Sequence, residues 1–323
     1  MTAAPCYSVL IPAYNHAGFI EEAVTSALED GGDQVEVIIV DDGSSDATPD
    51  VLRALGTDER VGIQTQENQG AHVALNRLLG MARGQFVFIL NSDDAFEPGR
   101  LNRLAAALEE HPDSAIACST LRIIDDQGHQ IGIKNAWRDL HPWPVLHPSP
   151  HLADLEDPTL ALLQSNWAAT TSNMAFRRHL VDQNALVFNA LRYTHDWDFL
   201  LAASASGQIV LVEEPLVRYR VHSANTIRES DARAQALMHF EILWTVARHA
   251  APTLARAANR GFVPDELRER LMRSLPTFGR EDLLFQLLAL RGTGDTAPSS
   301  YDALLIPEHP LRRAALLALE EQS

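Results

Sequence analysis

Apolar positions along the first 120 residues follow two alternating patterns. Short runs rich in Val, Ile and Phe (Tyr7–Ile11, Val35–Val40, Phe86–Leu90, Ala115–Ser119), with a more polar one at 61–66, are bounded by turn residues and predict strands. Between them lie stretches of helical period. The segment Ala17–Asp30 puts Ile20, Ala23, Val24, Ala27 and Leu28 on one face. A short helix follows Ser45 or Asp46 as N-cap, and two longer ones cover 71–83 and 97–111. Alternating strands and helices imply a mostly parallel sheet covered on both faces. On such sheets, ligands bind outside the carboxyl ends of the strands.

That rule gathers three polar clusters on one edge. The first strand ends in Pro12, Ala13, Tyr14 and Asn15, and the second in Asp41, Asp42, Gly43 and Ser44. The strand Phe86–Leu90 runs straight into Asn91, Ser92, Asp93 and Asp94. Adjacent carboxylates at the mouth of a core raise each other's pKa. They are either a solvated turn or the seat of something positive. An isolated Asp-Asp-Gly-Ser is as readily a turn with an N-cap; three such strand ends together point to a nucleotide site.

Beyond Ser119 the pattern loosens. Residues 134–151 are rich in Pro, His and Trp and predict a loop, either an acceptor-binding lid with aromatic platforms or a packed connection. Its His141, His147 and His151 lack zinc-site spacing with cysteines. A strand-like Thr171–Phe176 is followed by a helix start at Tyr193–Ala205 with Asp196 and Asp198 in its first turn. Ile209–His222 reads as two short strands around Glu213, Glu214 and Pro215. From Asp231 the chain is helical and leucine-rich. The break at 224–231 divides a domain of residues 1–230 from a helical extension, residues 231–323.

Charge narrows the partners. The 323 residues are 46% hydrophobic and carry a net charge of −17, which argues against nucleic acid and anionic lipid. Lys134 is the sole lysine, so a phosphate site must use arginine, backbone amides or a metal. Cys6 and Cys118 lie in strand-like runs and predict buried thiols in a reducing compartment. The N-terminus has no leader pattern, and no stretch is apolar enough to span a bilayer. The expected location is the cytoplasm.

The motifs SVLIPAYN, VDDGSSD, N-x-G (Asn68, Gly70) before a helix carrying Asn76, then SDD and HDWDF, resemble in order and spacing the family 2 glycosyltransferases. The resemblance covers residues 7–226. It implies a GT-A fold, a Rossmann-like sheet flanked by helices, here with the C-terminal helical extension. It implies a hexosyltransferase that inverts the anomeric centre of a nucleotide-sugar donor. In the family's pattern Pro12, Ala13, Tyr14, Asn15, Asp41, Asp42, Gly70, Asn76 and Asp93 fall at nucleotide-binding positions. Tyr14 would pack on a pyrimidine base, as in a UDP-sugar, and Asp42 would accept its ring N–H. Asp94 would be the metal ligand, with Asp93 at the ribose or metal shell and His222 as a further metal or diphosphate contact beside Arg218 and Arg220. Asp196 occupies the general-base position; His195 and Asn91 replace commoner acidic residues. Mn²⁺ or Mg²⁺ is the expected cofactor, because hard oxygen ligands suit these ions and a cation can offset charge on the departing diphosphate. The acceptor would be a saccharide or a lipid-linked glycan.

Other classes fit less well. A sugar nucleotidyltransferase needs a Gly-rich basic loop after the first strand, and a dinucleotide oxidoreductase needs G-x-G-x-x-G there; IPAYNHAGF supplies neither. A degenerate domain serving as a carbohydrate-binding scaffold would have no use for Asp42, Asp93, Asp94 and Asp196. The helical tail could pack on the catalytic domain, form a homodimer or, least in keeping with its near-neutral charge, attach peripherally to the inner membrane face.

Overall fold

The computed structural model describes residues 5–138, 151–223, 225, 231–274, 279–292 and 299–320. Strands β1 (Tyr7–Ala13), β2 (Val35–Asp41), β3 (Val61–Thr65) and β4 (Phe86–Ile89) pair in parallel in the order β3-β2-β1-β4. Alternation along them feeds two cores. Leu10, Ile38 and Val40 face one side with α3 (Ala71–Met81), while Val9, Ile11, Val37 and Ile39 face the other with α1 (Ile20–Gly31), α2 (Thr48–Leu55) and α4 (Arg100–Glu110). The buried Glu36 of β2 accepts hydrogen bonds from the Ser8 hydroxyl and from the backbone and side chain of Arg83.

Past β4 the sheet is mixed. β8 (Ala175–Arg177) runs antiparallel between β4 and β6 (Ser114–Ile124). β9 (Gln208–Arg220) lies parallel to β6 and antiparallel to β5 (Ala95–Phe96), and β7 (Gln130–Lys134) pairs with β6 on its own. The sheet is curled and parallel-dominated in its β1–β4 half, with helices on both faces. Two expectations change here. The two short strands around Pro215 are one strand, because a bulge ejects Glu213 and Glu214: Ser119 pairs with Val212 and Thr120 with Pro215. The predicted strand at 171–176 begins as a helical turn, Thr171–Asn173, before β8.

The helices α5 (Pro158–Gln164), α6 (Arg178–Asn184) and α7 (His195–Ala203) precede the C-terminal group α8 (Ala232–Asn259), α9 (Pro264–Ser274), α10 (Glu281–Gly292), α11 (Ser299–Asp302) and α12 (Pro310–Glu320). The expected boundary falls partly outside the described residues. The apolar core does not divide there: Phe240, Leu243, Trp244, Leu284 and Leu319 join the same cluster as Leu75, Phe176 and Phe199. Of the proline-rich loop, residues 139–150, including His141 and His147, lie outside the described residues. Trp137 is no aromatic platform; it is buried, edge-on to Trp167 at 5.2 Å. His151 is buried, hydrogen-bonded to Gln164. Among the described residues, no helix is long and apolar enough to cross a membrane.

Trp244 is fully buried, stacks on Tyr301 and receives the Tyr301 hydroxyl on its carbonyl. Trp244→Ala should lower stability by about 3–5 kcal/mol, with a single unfolding transition by calorimetry and far-ultraviolet dichroism. A separate early transition that leaves the sheet signal intact would show that the C-terminal helices are an independent unit.

Candidate active site at the strand ends

The loops after β1, β2 and β4 converge on one crevice. Asn15 turns the chain in the left-handed region (φ 53°), which asparagine tolerates. Its amide oxygen accepts the Ser45 N–H and its own N–H donates to the Ser44 hydroxyl, so it fastens the first loop to the second. Asp41 accepts the hydroxyl and N–H of Ser44. Asp42 is buried and accepts the Gln66 side chain and the N–H groups of Gln69 and Gly70. Gly70 (φ 93°) and Gly43 (φ 74°) allow this loop to close; a Cβ on Gly43 would sit 2.9 Å from the Asn68 nitrogen. Beside this network Tyr14 stands 45% exposed, with its ring open to a ligand.

The two carboxylates after β4 point different ways. Asp94 is buried and accepts the Ser172 hydroxyl at 2.6 Å, the Thr170 hydroxyl at 3.3 Å and the Arg220 N–H at 2.9 Å. Burial, then the neighbouring Asp93 charge, push it up to about 8 against those donors. The expectation of Asp94 as metal ligand is therefore corrected: its oxygens join β4, the 170–172 segment and β9 instead of facing the crevice. Asp93 is the one that does. Its Oδ2 lies 3.0 Å from His222 Nε2 and 4.0 Å from His16 Nε2. His16, Asp93 and His222 can present three ligand atoms all within 4.8 Å of one another. One carboxylate and two imidazoles form a donor set that suits a divalent ion. Burial lowers the pKa of His16, opposed by Asp93, which favours the neutral ring a metal needs.

Other candidates have different duties. Asn91 donates to the Thr170 hydroxyl and accepts from that of Thr171, a paired exchange that a carboxylate in its place could not make. Asn76 is corrected as a nucleotide contact: its amide exchanges two 2.8 Å hydrogen bonds with the backbone of Phe188 and pins α3 to that loop. Arg218 and Arg220, which precede His222 in sequence, both reach Glu22 on α1; Arg220 also stacks over Phe19 and donates to the Asp93 carbonyl.

Asp196 opens α7. Its carboxylate accepts the Trp197 N–H and, at 2.9 Å, the Asn166 side chain. Asn166 and Thr170–Ser172 belong to one short segment, which thereby touches both Asp196 and the Asp94 anchor. His195 turns its ring toward Phe188 at 6.2 Å. Support for α7 comes from α8. Glu241 accepts the N–H groups of Arg192 and Tyr193, Thr245 bonds to Thr194, and His249 bonds to the fully buried Asp198 at 2.7 Å. Sequence reasoning missed His16, Asn166 and this α8 face. His16 alone carried a local signal, a metal-capable side chain directly after a strand end. A separate cleft of about 690 Å³, lined by Arg177, His179, Ser206, Arg256 and Arg260, includes the turn after α7 and none of these residues.

Residues 8–183 match the family model for Glycosyl transferase family 2. The chain belongs to that family. It is a glycosyltransferase. Among curated relatives it is 27% identical over 253 residues to an uncharacterized glycosyltransferase of Rickettsia typhi, covering 76% of this chain and 72% of the relative. It is 32% identical over 252 residues to the succinoglycan biosynthesis protein ExoO of Rhizobium meliloti, covering 74% and 66%. Among solved structures, S. aureus TarS 1-349 in complex with UDP superposes with a TM-score of 0.59 at 17% identity over 98% of this chain and 88% of the other. The mannosyltransferase PcManGT of Pyrobaculum calidifontis, in complex with GDP-Man and Mn2+, gives 0.53 at 19% over 99% and 87%. These superpositions establish a glycosyltransferase fold of the GT-A kind.

The Asp198–His249 pair sets a pH dependence. Burial alone would raise Asp198, but His249, then Arg248 and Asn189, hold it below the usual carboxylate range. Burial lowers His249 despite Asp198. Below about pH 6.5 an unfolded histidine takes a proton that the buried ring resists, so the unfolded state binds more protons and stability falls on acidification. Asp198 adds to this in the same direction as pH falls below about 4. The stability advantage of wild type over His249→Gln should therefore shrink between pH 7.5 and 5 in urea unfolding; an advantage that stays constant or widens would contradict this reading.

Proposed function

We propose that the chain transfers a sugar, with inversion, from a pyrimidine nucleoside-diphosphate donor, in the first instance a UDP-sugar, to a hydroxyl of a saccharide or lipid-linked glycan. What supports this reading is the cluster of Asp93 with His16 and His222 at the strand ends, the exposed Tyr14 on the neighbouring loop, and the 166–172 segment that bonds to both Asp94 and Asp196. The UDP and the GDP-Man with Mn²⁺ bound by the two structural neighbours support a nucleotide-sugar donor. The succinoglycan relative supports a polysaccharide product.

In this reading Tyr14 packs on the base, and Asp42, which by the family's pattern stands at a base-recognition position, accepts the ring N–H of uracil. Asp93 and His222 would hold a divalent cation, whose role when bound is to offset the negative charge that grows on the diphosphate as the sugar leaves. Asp196 acts on the acceptor. The acceptor oxygen forms its bond to the anomeric carbon as the bond from that carbon to the diphosphate oxygen breaks, and the hydroxyl proton passes to the Asp196 carboxylate. Attack from the face opposite the leaving group inverts the centre. Asn166 holds Asp196 by one oxygen and fixes its direction, and a proton acceptor already oriented lowers the barrier more than a mobile one.

Asp196→Asn keeps shape and removes the proton acceptor. Turnover of the preferred donor should drop about 10²–10⁴-fold, with donor affinity by calorimetry within about threefold of wild type. Product NMR should show inverted anomeric configuration. Near-normal turnover in the variant, or retained configuration, would overturn the assignment.

A further inference from the structure

We propose that His16 is a third protein ligand to the cation, so that the donor-side metal site is a two-histidine, one-carboxylate set that prefers a first-row transition ion such as Mn²⁺ to Mg²⁺. This rests on the metal-dependent donor site proposed above and adds both a ligand and a metal class to it.

The first support is orientation. The His16 N–H donates to the Thr48 hydroxyl at 2.9 Å, and the left-handed Asn15 precedes it, so the backbone is held at both points. Its Nδ1 lies 2.7 Å from the Ser92 hydroxyl. With Nδ1–H donating to Ser92, Nε2 keeps its lone pair. A ring fixed through one nitrogen, with the other free to bind, is the usual state of a metal-bound histidine.

The second support is spacing. Donor atoms each about 2.1 Å from one metal ion lie about 3.0–4.2 Å apart for angles between 90° and linear. The Asp93 oxygen is 3.0 Å from one imidazole nitrogen and 4.0 Å from the other, and all three ligand atoms fall within 4.8 Å. Only a small contraction separates this arrangement from a ligand set. The three residues come from three separate loops, after β1, β4 and β9. Chance hydrogen bonding between Asp93 and His222 would not require a second, half-buried imidazole whose other nitrogen is already engaged.

The third support is chemistry. Mg²⁺ favours oxygen ligands in near-octahedral geometry and gives up water reluctantly. Imidazole donors move preference toward transition ions.

The test uses the full chain and Mn²⁺. Pulsed electron paramagnetic resonance on the Mn²⁺-loaded protein, in ¹⁴N and in ¹⁵N-histidine forms, counts coupled imidazole nitrogens without nucleotide. Wild type should give two and His16→Gln one. Titration should show Mn²⁺ bound at least tenfold more weakly by His16→Gln, with Mg²⁺ affinity changed less than threefold. His222→Gln should lose the other nitrogen. One coupled nitrogen in wild type, no bound Mn²⁺, or unchanged Mn²⁺ affinity in His16→Gln would overturn the proposal. Two nitrogens in a protein whose Mn²⁺ binding gains nothing from UDP would uphold His16 as a ligand and remove the donor-site reading instead.

Discussion

The site depends on how the chain resolves the repulsion between Asp93 and Asp94. Two neighbouring carboxylates at the end of a buried strand cannot both be left charged and undersolvated. Asp94 is turned inward, where the Ser172 and Thr170 hydroxyls and the Arg220 N–H donate to it and make it an anchor, and burial with the Asp93 charge pushes its pKa up to about 8. Asp93 is left to face the imidazoles of His16 and His222. The inward carboxylate ties together β4, the 170–172 segment and the end of β9. It therefore fixes the position of the outward one.

The same economy links the acid pair to the candidate base. Thr170 and Ser172 hold Asp94, and Asn166, a few residues earlier, holds Asp196. Behind Asp196, α8 satisfies the backbone ahead of α7 through Glu241 and grips Asp198 through His249. Buried polar groups are costly when unpaired, so each of these contacts constrains α7 tightly. The C-terminal helices thus take part in the catalytic fold through named hydrogen bonds as well as through the shared apolar core.

The parallel half of the fold is legible because the apolar runs of β1 and β2 are nearly unbroken, as strands covered on both faces are. The three polar strand ends followed from that topology. Which of two adjacent carboxylates faces the crevice was not legible, since sequence gives adjacency and the partners of Asp94 lie nearly eighty or more residues away in the chain. Asn76 misled for a similar reason: its partner, the Phe188 backbone, is a tertiary contact. The bulge at Glu213–Glu214 hid the continuity of β9, because a proline after two acids reads locally as a break. His16 was passed over because its meaning comes only from His222, which closes on it from the other end of the domain.

The division of labour between Asp93 and Asp94 is tested most directly by calorimetry of UDP binding with and without Mn²⁺ in Asp93→Asn and Asp94→Asn, each checked for folding by dichroism. The account predicts that Asp93→Asn loses the Mn²⁺-dependent gain in UDP affinity, while folded Asp94→Asn keeps it to within a few fold. Loss of that gain in Asp94→Asn with its survival in Asp93→Asn would contradict it.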